Sequence, residues 1–165
     1  MPLTLEGDRE FATYLKDHLA GSTGGVSLAQ RMADTAQDGT AGFQEGEARQ
    51  LAKIAEEIEA DQGTLLAIMD RLDVPPSRFK RAGAWIGEKL ARSKLRASSP
   101  WGRVLQFESL IMGVTGKIKL WRCLYEVAGS DARLQKQEIK TLLDRAEDQR
   151  RRLEKLHEDT AHSLG

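Results

Sequence analysis

The chain predicts an all-α fold, a four-helix bundle with one long crossover, on three observations. Apolar residues recur at three- and four-residue spacing through long windows. Aromatic residues make up only 5% of the chain and proline occurs four times, while most of the apolar 40% is Leu and Ala, a mixture that favours helix over sheet. Clusters of Gly, Asp and Pro then divide the chain into four long segments of about 25–30 residues. Neither an alternating strand pattern nor a tandem repeat is present. A length of 165 residues suits one domain, 1–165, with room for a real core.

The first segment runs from about Asp8 to Gln37 with Phe11, Leu15, Leu19, Val26, Ala29 and Ala33 on one stripe, and DGTAGF at 38–43 breaks it. The second runs from about Glu45 to Leu72 on Leu51, Ile54, Ile58, Leu65, Ile68 and Leu72, and the two prolines of DVPPS at 73–77 end it. Ser77 offers an N-cap to a shorter helix over 78–96. At 98–101, SSPW supplies a cap serine with Pro100 at the first helical position, so the third long helix runs from Pro100 to about Val127. Ser130 or Asp131 is the expected cap of the last, which carries Ile139, Leu142, Ala146, Leu153 and Leu156.

The short links, one to two and three to four, imply antiparallel neighbours. The link from two to three consumes about 25 residues, enough to travel the length of a bundle. This order of elements, over nearly the whole chain, resembles the ferritin-like superfamily in its divergent bacterial members. The resemblance implies a ferritin-like bundle whose crossover carries an extra short helix. It also implies a dinuclear metal centre, with one Glu from each of two helices and a Glu-x-x-His from each of the others.

The motif positions depart from that pattern. EADQ at 59–62 supplies Glu59 but puts Gln62 where His belongs, and EDQR at 147–150 supplies Glu147 but puts Arg150 there. LAGS at 19–22 puts Ser22 in a glutamate position, and Glu108 lies about one turn early on the third helix. A guanidinium would repel a divalent cation, so oxidase, peroxidase and iron-storage activity do not carry over. The reading is a non-catalytic binding or structural module, stress-related as the superfamily implies, with no cofactor. The alternative is a metal-dependent oxidoreductase using iron or manganese on Glu59, Glu108 and Glu147, with His18 as a further ligand.

A polar layer of His18, Ser22, Glu59, Gln62, Glu108, Glu147, Gln149 and Arg150 is therefore expected at the centre. It is either a relic pocket for a polar ligand or a set of side chains that satisfy one another and fix helix register. Gly21, Ser22, Gly24 and Gly25 in the first helix and Gly113, Thr115 and Gly116 in the third suggest that two small faces meet and close the centre; a kink at Gly24–Gly25 is the alternative.

Net charge is zero but uneven. Residues 45–77 carry eight acids and three bases, a net −5, and residues 78–103 carry eight bases and one acid, a net +7. Arg78, Lys80, Arg81, Lys89, Arg92, Lys94 and Arg96 accompany Phe79, Trp85, Ile86 and Leu90 on the crossover helix. Packing against the acidic second helix is favoured over binding an anionic membrane or nucleic acid through this face. The partner expected is a second copy through the first two helices, a homodimer, or another protein. His157 and His162 are five residues apart and share a helix face poorly; Cys123, beside Trp121 and Leu124, reads as a small hydrophobe. With one cysteine, no signal-like start and no run of ~18 apolar residues, a cytoplasmic location is expected.

Overall fold

Local chemistry sets the ends of four helices in the computed structural model, which describes residues 5–39, 41–76 and 96–165. Helix α1 spans Leu5–Gln37, α2 Glu45–Arg71, α3 Pro100–Val127 and α4 Lys136–His162. Helix α1 begins three residues before the expected Asp8 and runs unbroken through Gly24–Gly25. Gly39 and Gly42 follow it with φ of 67° and 69°, the left-handed region that glycine enters without a Cβ clash. Helix α2 then starts with the Gln44 backbone N–H donating to Glu47 Oε2 at 2.7 Å.

The end of α2 is a Schellman turn. Val74 N–H donates to the Met69 carbonyl at 2.9 Å, and Asp73 holds the left-handed position with φ 57°. At the start of α3, Ser99 Oγ accepts from Gly102 N–H at 3.1 Å and Pro100 occupies the first turn, as expected from SSPW. Gly102 is sterically required here, because an added Cβ would sit 2.0 Å from the Arg96 carbonyl oxygen. The expected cap of α4 is displaced. The helix starts at Lys136, and Asp131 instead accepts from the Arg133 backbone N–H at 3.0 Å, holding a turn that inserts Leu134 into the core.

Contacts across the bundle fix its topology. Helix α1 packs on α2 and α3, and α4 packs on α3 and, through fewer contacts, on α2. Glu57 pairs with Arg152 and Arg71 with Glu138, so α2 and α4 are antiparallel. Arg122 pairs with Glu147 and Glu108 with His157, so α3 and α4 are antiparallel as well. Helices α2 and α3 therefore run parallel, so the end of α2 and the start of α3 lie at opposite ends of the bundle, about 40 Å apart for helices of this length. The order around the bundle is α1, α2, α4, α3.

The core is a Leu, Ile and Ala seam closed by Phe107 and Trp121, with Leu15, Leu28, Ile54, Ile68, Leu124 and Leu153 essentially inaccessible. Each such side chain contributes roughly 1.5–3 kcal/mol by leaving water. Among the described residues there is no strand, and no helix is long and apolar enough to cross a membrane. The crossover helix expected over 78–96 lies outside the described residues except for Arg96, as do Arg78, Lys80, Arg81, Lys89, Arg92 and Lys94.

Candidate functional site

Halfway along the bundle the apolar seam gives way to charge on three helices at once. Asp61 follows Ile58 and precedes Leu65 on the buried stripe of α2, and its carboxylate is 1% exposed. Lys117 from α3 donates to Asp61 Oδ2 at 2.5 Å, and Arg145 from α4 pairs with Oδ1. Gln149, fully buried, completes the shell: its amide donates to Asp61 Oδ2 at 3.1 Å and its carbonyl accepts from Lys117 at 2.5 Å. A second pair, Glu57 with Arg152, extends the network, and Arg152 also reaches Asp148 at 2.7 Å.

Asp61 faces two cations, Lys117 and Arg145, while Glu57 shares Arg152 with Asp148, which also binds Arg151. Burial holds the Lys117 ammonium below its ordinary lysine value, opposed by the Asp61 charge and hydrogen bond. Such a cluster adds little net stability over an apolar filling, but removing one member strands a buried charge. Four side chains from three helices meet at Asp61, which fixes the register of those helices to one another.

The other side of the same level is open. A cavity of about 350 Å³ lies among α1, α2 and α3, with Asp61 and Lys117 in one wall. Most of its surface is apolar, from Ile58, Leu65, Leu110, Val114 and Leu120. Gly21, Ser22 and Gly25 line it from α1, and Gly113 and Gly116 from α3. The expectation that these small faces close together is corrected here. A Cβ added at Gly21, Gly25 or Gly116 would meet nothing within 4 Å. Large buried residues, Leu15 and Leu28 on α1 and Leu110 and Trp121 on α3, flank the small ones along each helix, so the small residues leave a space between them.

Polar groups converge on that space. Gln62 Nε2 donates to Ser22 Oγ at 2.9 Å, and Ser22 Oγ donates to the Leu19 carbonyl at 2.6 Å. His18 meets the Tyr14 ring edge-on at 4.6 Å, and burial lowers its imidazole pKa against a weaker opposing pull from Asp17. Burial pushes the Tyr14 hydroxyl up to about 12, helped by the neighbouring Cys123, so Tyr14 is a neutral phenol at physiological pH. Trp121 forms part of the wall and is 1% exposed, and its indole N–H meets no acceptor among the described residues.

The eight residues expected in the central polar layer are thus divided. Gln149 lies in the ion-pair network, and Ser22 and Gln62 bond to each other beside the cavity with His18 nearby. Glu59 is exposed, Glu108 is half-exposed at 51% and lies 3.4 Å from His157, and Glu147 turns outward to accept from Arg122 at 2.5 Å. Arg150 is on the flank of α4, 3.6 Å from Glu154. The inward placement of Glu59, Glu108, Glu147 and Arg150 is corrected, because the buried stripes pass one or two residues away at Asp61, Phe107, Ala146 and Gln149. The sequence reading missed Glu57, Asp61, Lys117, Arg145 and Arg152.

The dinuclear centre implied by the resemblance does not fit these residues. Both oxygens of Asp61 are committed to Arg145, Lys117 and Gln149, and those cations would repel a divalent ion. Among the described residues no three His, Cys, Asp or Glu side chains converge on a point where an ion could sit. Compared with known proteins, the chain matches no family model, no curated protein and no solved structure at a significant level.

Proposed function

We propose that this protein is a non-catalytic, ferritin-like bundle whose interior binds a small organic molecule in place of a metal pair. The carrying observation is the cavity of about 350 Å³ walled by glycines and apolar side chains. Cavities of roughly 300–1,000 Å³ with apolar walls and a few convergent polar groups are the usual form of small-molecule sites. The bundle supports the ferritin-like assignment, since every neighbouring pair of helices is antiparallel and one long crossover joins α2 to α3. Glycine in a helix interior costs about 1 kcal/mol relative to alanine. Neither close packing nor a positive φ requires Gly21, Gly25 or Gly116, and a ligand that needs the space accounts for them.

The test is titration with N-phenyl-1-naphthylamine, a dye that brightens in apolar surroundings. The expected outcome is saturable one-to-one binding that disappears in Gly25→Leu while helical content stays unchanged. Absence of saturable binding, or binding that Gly25→Leu leaves intact, contradicts the assignment. Stoichiometric iron or manganese surviving dialysis would restore the oxidoreductase alternative.

A further inference from the structure

We infer that the cavity takes a molecule with an apolar body and one protonated amine, the ammonium resting at the cavity mouth against the Asp17 carboxylate. This rests on the binding role proposed above and adds the chemistry of the ligand. Exposure orders the wall by depth. The Asp61 side chain is 1% exposed and that of Lys117 14%, so they lie at the inner end, whereas Asp17 and Met112 are exposed and mark the mouth.

The inner end suits the apolar body. Both Asp61 oxygens are taken by Lys117, Arg145 and Gln149, and two cations already share that one carboxylate, so a further cation would be repelled. An anion at that depth would lose its hydration beside Asp61. Apolar surface from Ile58, Leu65 and Val114 remains available there. A cavity of about 150 Å³ is sufficient for benzene, so about 350 Å³ admits a body of two fused rings.

The mouth offers a free charge. Asp17 lines the cavity and has no hydrogen bond or ion pair among the described residues. The adjacent His18 lines it too, and its ring likewise has no hydrogen bond among the described residues. Burial holds the His18 imidazole below its ordinary value, so at neutral pH it carries no charge to compensate Asp17. A neutral imidazole also presents a lone pair, not a second positive charge, to an arriving ammonium. At an exposed mouth the ammonium keeps part of its hydration, which limits the cost of binding it.

Two probes test this in the full chain: 1-(2-naphthyl)ethylamine, protonated at neutral pH, and 2-acetylnaphthalene, an uncharged ketone on the same carbon skeleton. Asp17→Asn should weaken the amine about threefold, the scale of one ion pair open to water, and leave the ketone unchanged. A thermal melt confirms that the variant folds. In the wild-type protein, about 1 M salt should weaken the amine relative to the ketone, because salt screens exposed charges. An amine affinity that Asp17→Asn leaves unchanged, or a ketone affinity that falls by the same factor, would overturn Asp17 as the counter-ion. Tighter binding of 2-naphthoate than of the amine would overturn the cationic ligand. Binding of the ketone without the amine would overturn this inference and leave the binding role standing. If neither probe binds, the binding role falls and this inference with it.

Discussion

At one level of the bundle, the side between α2 and α4 and the side between α1 and α3 solve the same problem in opposite ways. On the α2–α4 side the interior is filled with charge, as Asp61, Gln149, Arg145 and Lys117 satisfy one another. On the α1–α3 side the corresponding seam positions hold His18, Ser22 and Gly25, and the space stays open. Both arrangements are departures from a Leu and Ile seam. The first specifies register, because each partner must arrive from its own helix at the correct height. The second provides volume. A bundle that only had to fold would need neither.

The comparison can be broken most severely on the charged side. Asp61→Ala leaves Lys117 and Arg145 buried without a carboxylate, and should destabilise the fold by about 3–5 kcal/mol, read as a shift in the denaturant midpoint. A loss below about 1 kcal/mol would mean that water reaches the cluster freely. On the open side, Gly25→Leu places a side chain where a Cβ has free space and a better helix former replaces glycine. A gain of about 1 kcal/mol is expected, the propensity difference, together with loss of ligand binding. The two substitutions therefore have opposite signs, and a large loss from Gly25→Leu would show that the α1–α3 side is closed.

Smaller effects sharpen the contrast. Gln62→Ala removes neutral hydrogen bonds to Ser22 and, more weakly, to Thr23, and should cost about 1 kcal/mol in thermal or chemical melts, well short of Asp61→Ala. The weakest handle is pH. His18 has its folded pKa lowered by burial, so between that value and about 6.5 the unfolded chain binds more protons than the folded one. Stability then falls as pH drops from 7 toward 5, and His18→Gln should flatten that part of the profile. An unchanged slope in the variant would place the titration elsewhere.

Much of the fold was legible in the sequence. The SSPW cap, the proline stop after Leu72 and the 3–4 apolar spacing locate the second and third long helices to within a residue and the first to within three. The start of α4 was missed because Asp131 looks like an N-cap yet organises a turn on Arg133, five residues upstream of the helix. The interior was misplaced for a different reason. Aligning 59–62 and 147–150 to a Glu-x-x-His pattern turned Glu59 and Glu147 inward, but the stripes themselves say otherwise. Ile58–Asp61–Leu65, Val114–Lys117–Trp121 and Ala146–Gln149–Leu153 all keep the 3–4 spacing, and each carries its polar residue in the middle. Gln149 was found in this way, and the same period followed strictly on the other two helices would have found Asp61 and Lys117. The open volume had a sequence signal in its glycines, but small residues are compatible with both contact and vacancy. Which of these occurs depends on the large residues around them, and that is a property of the packed bundle.

The most direct measurement is methyl NMR of the full chain during titration with 2-acetylnaphthalene. The account predicts saturable shifts for Ile58, Leu110, Met112 and Val114, which line the cavity, with Leu142 and Leu153 of the α4 core unmoved. Shifts confined to other surfaces, or no shifts at all, would contradict an interior built to hold a small molecule.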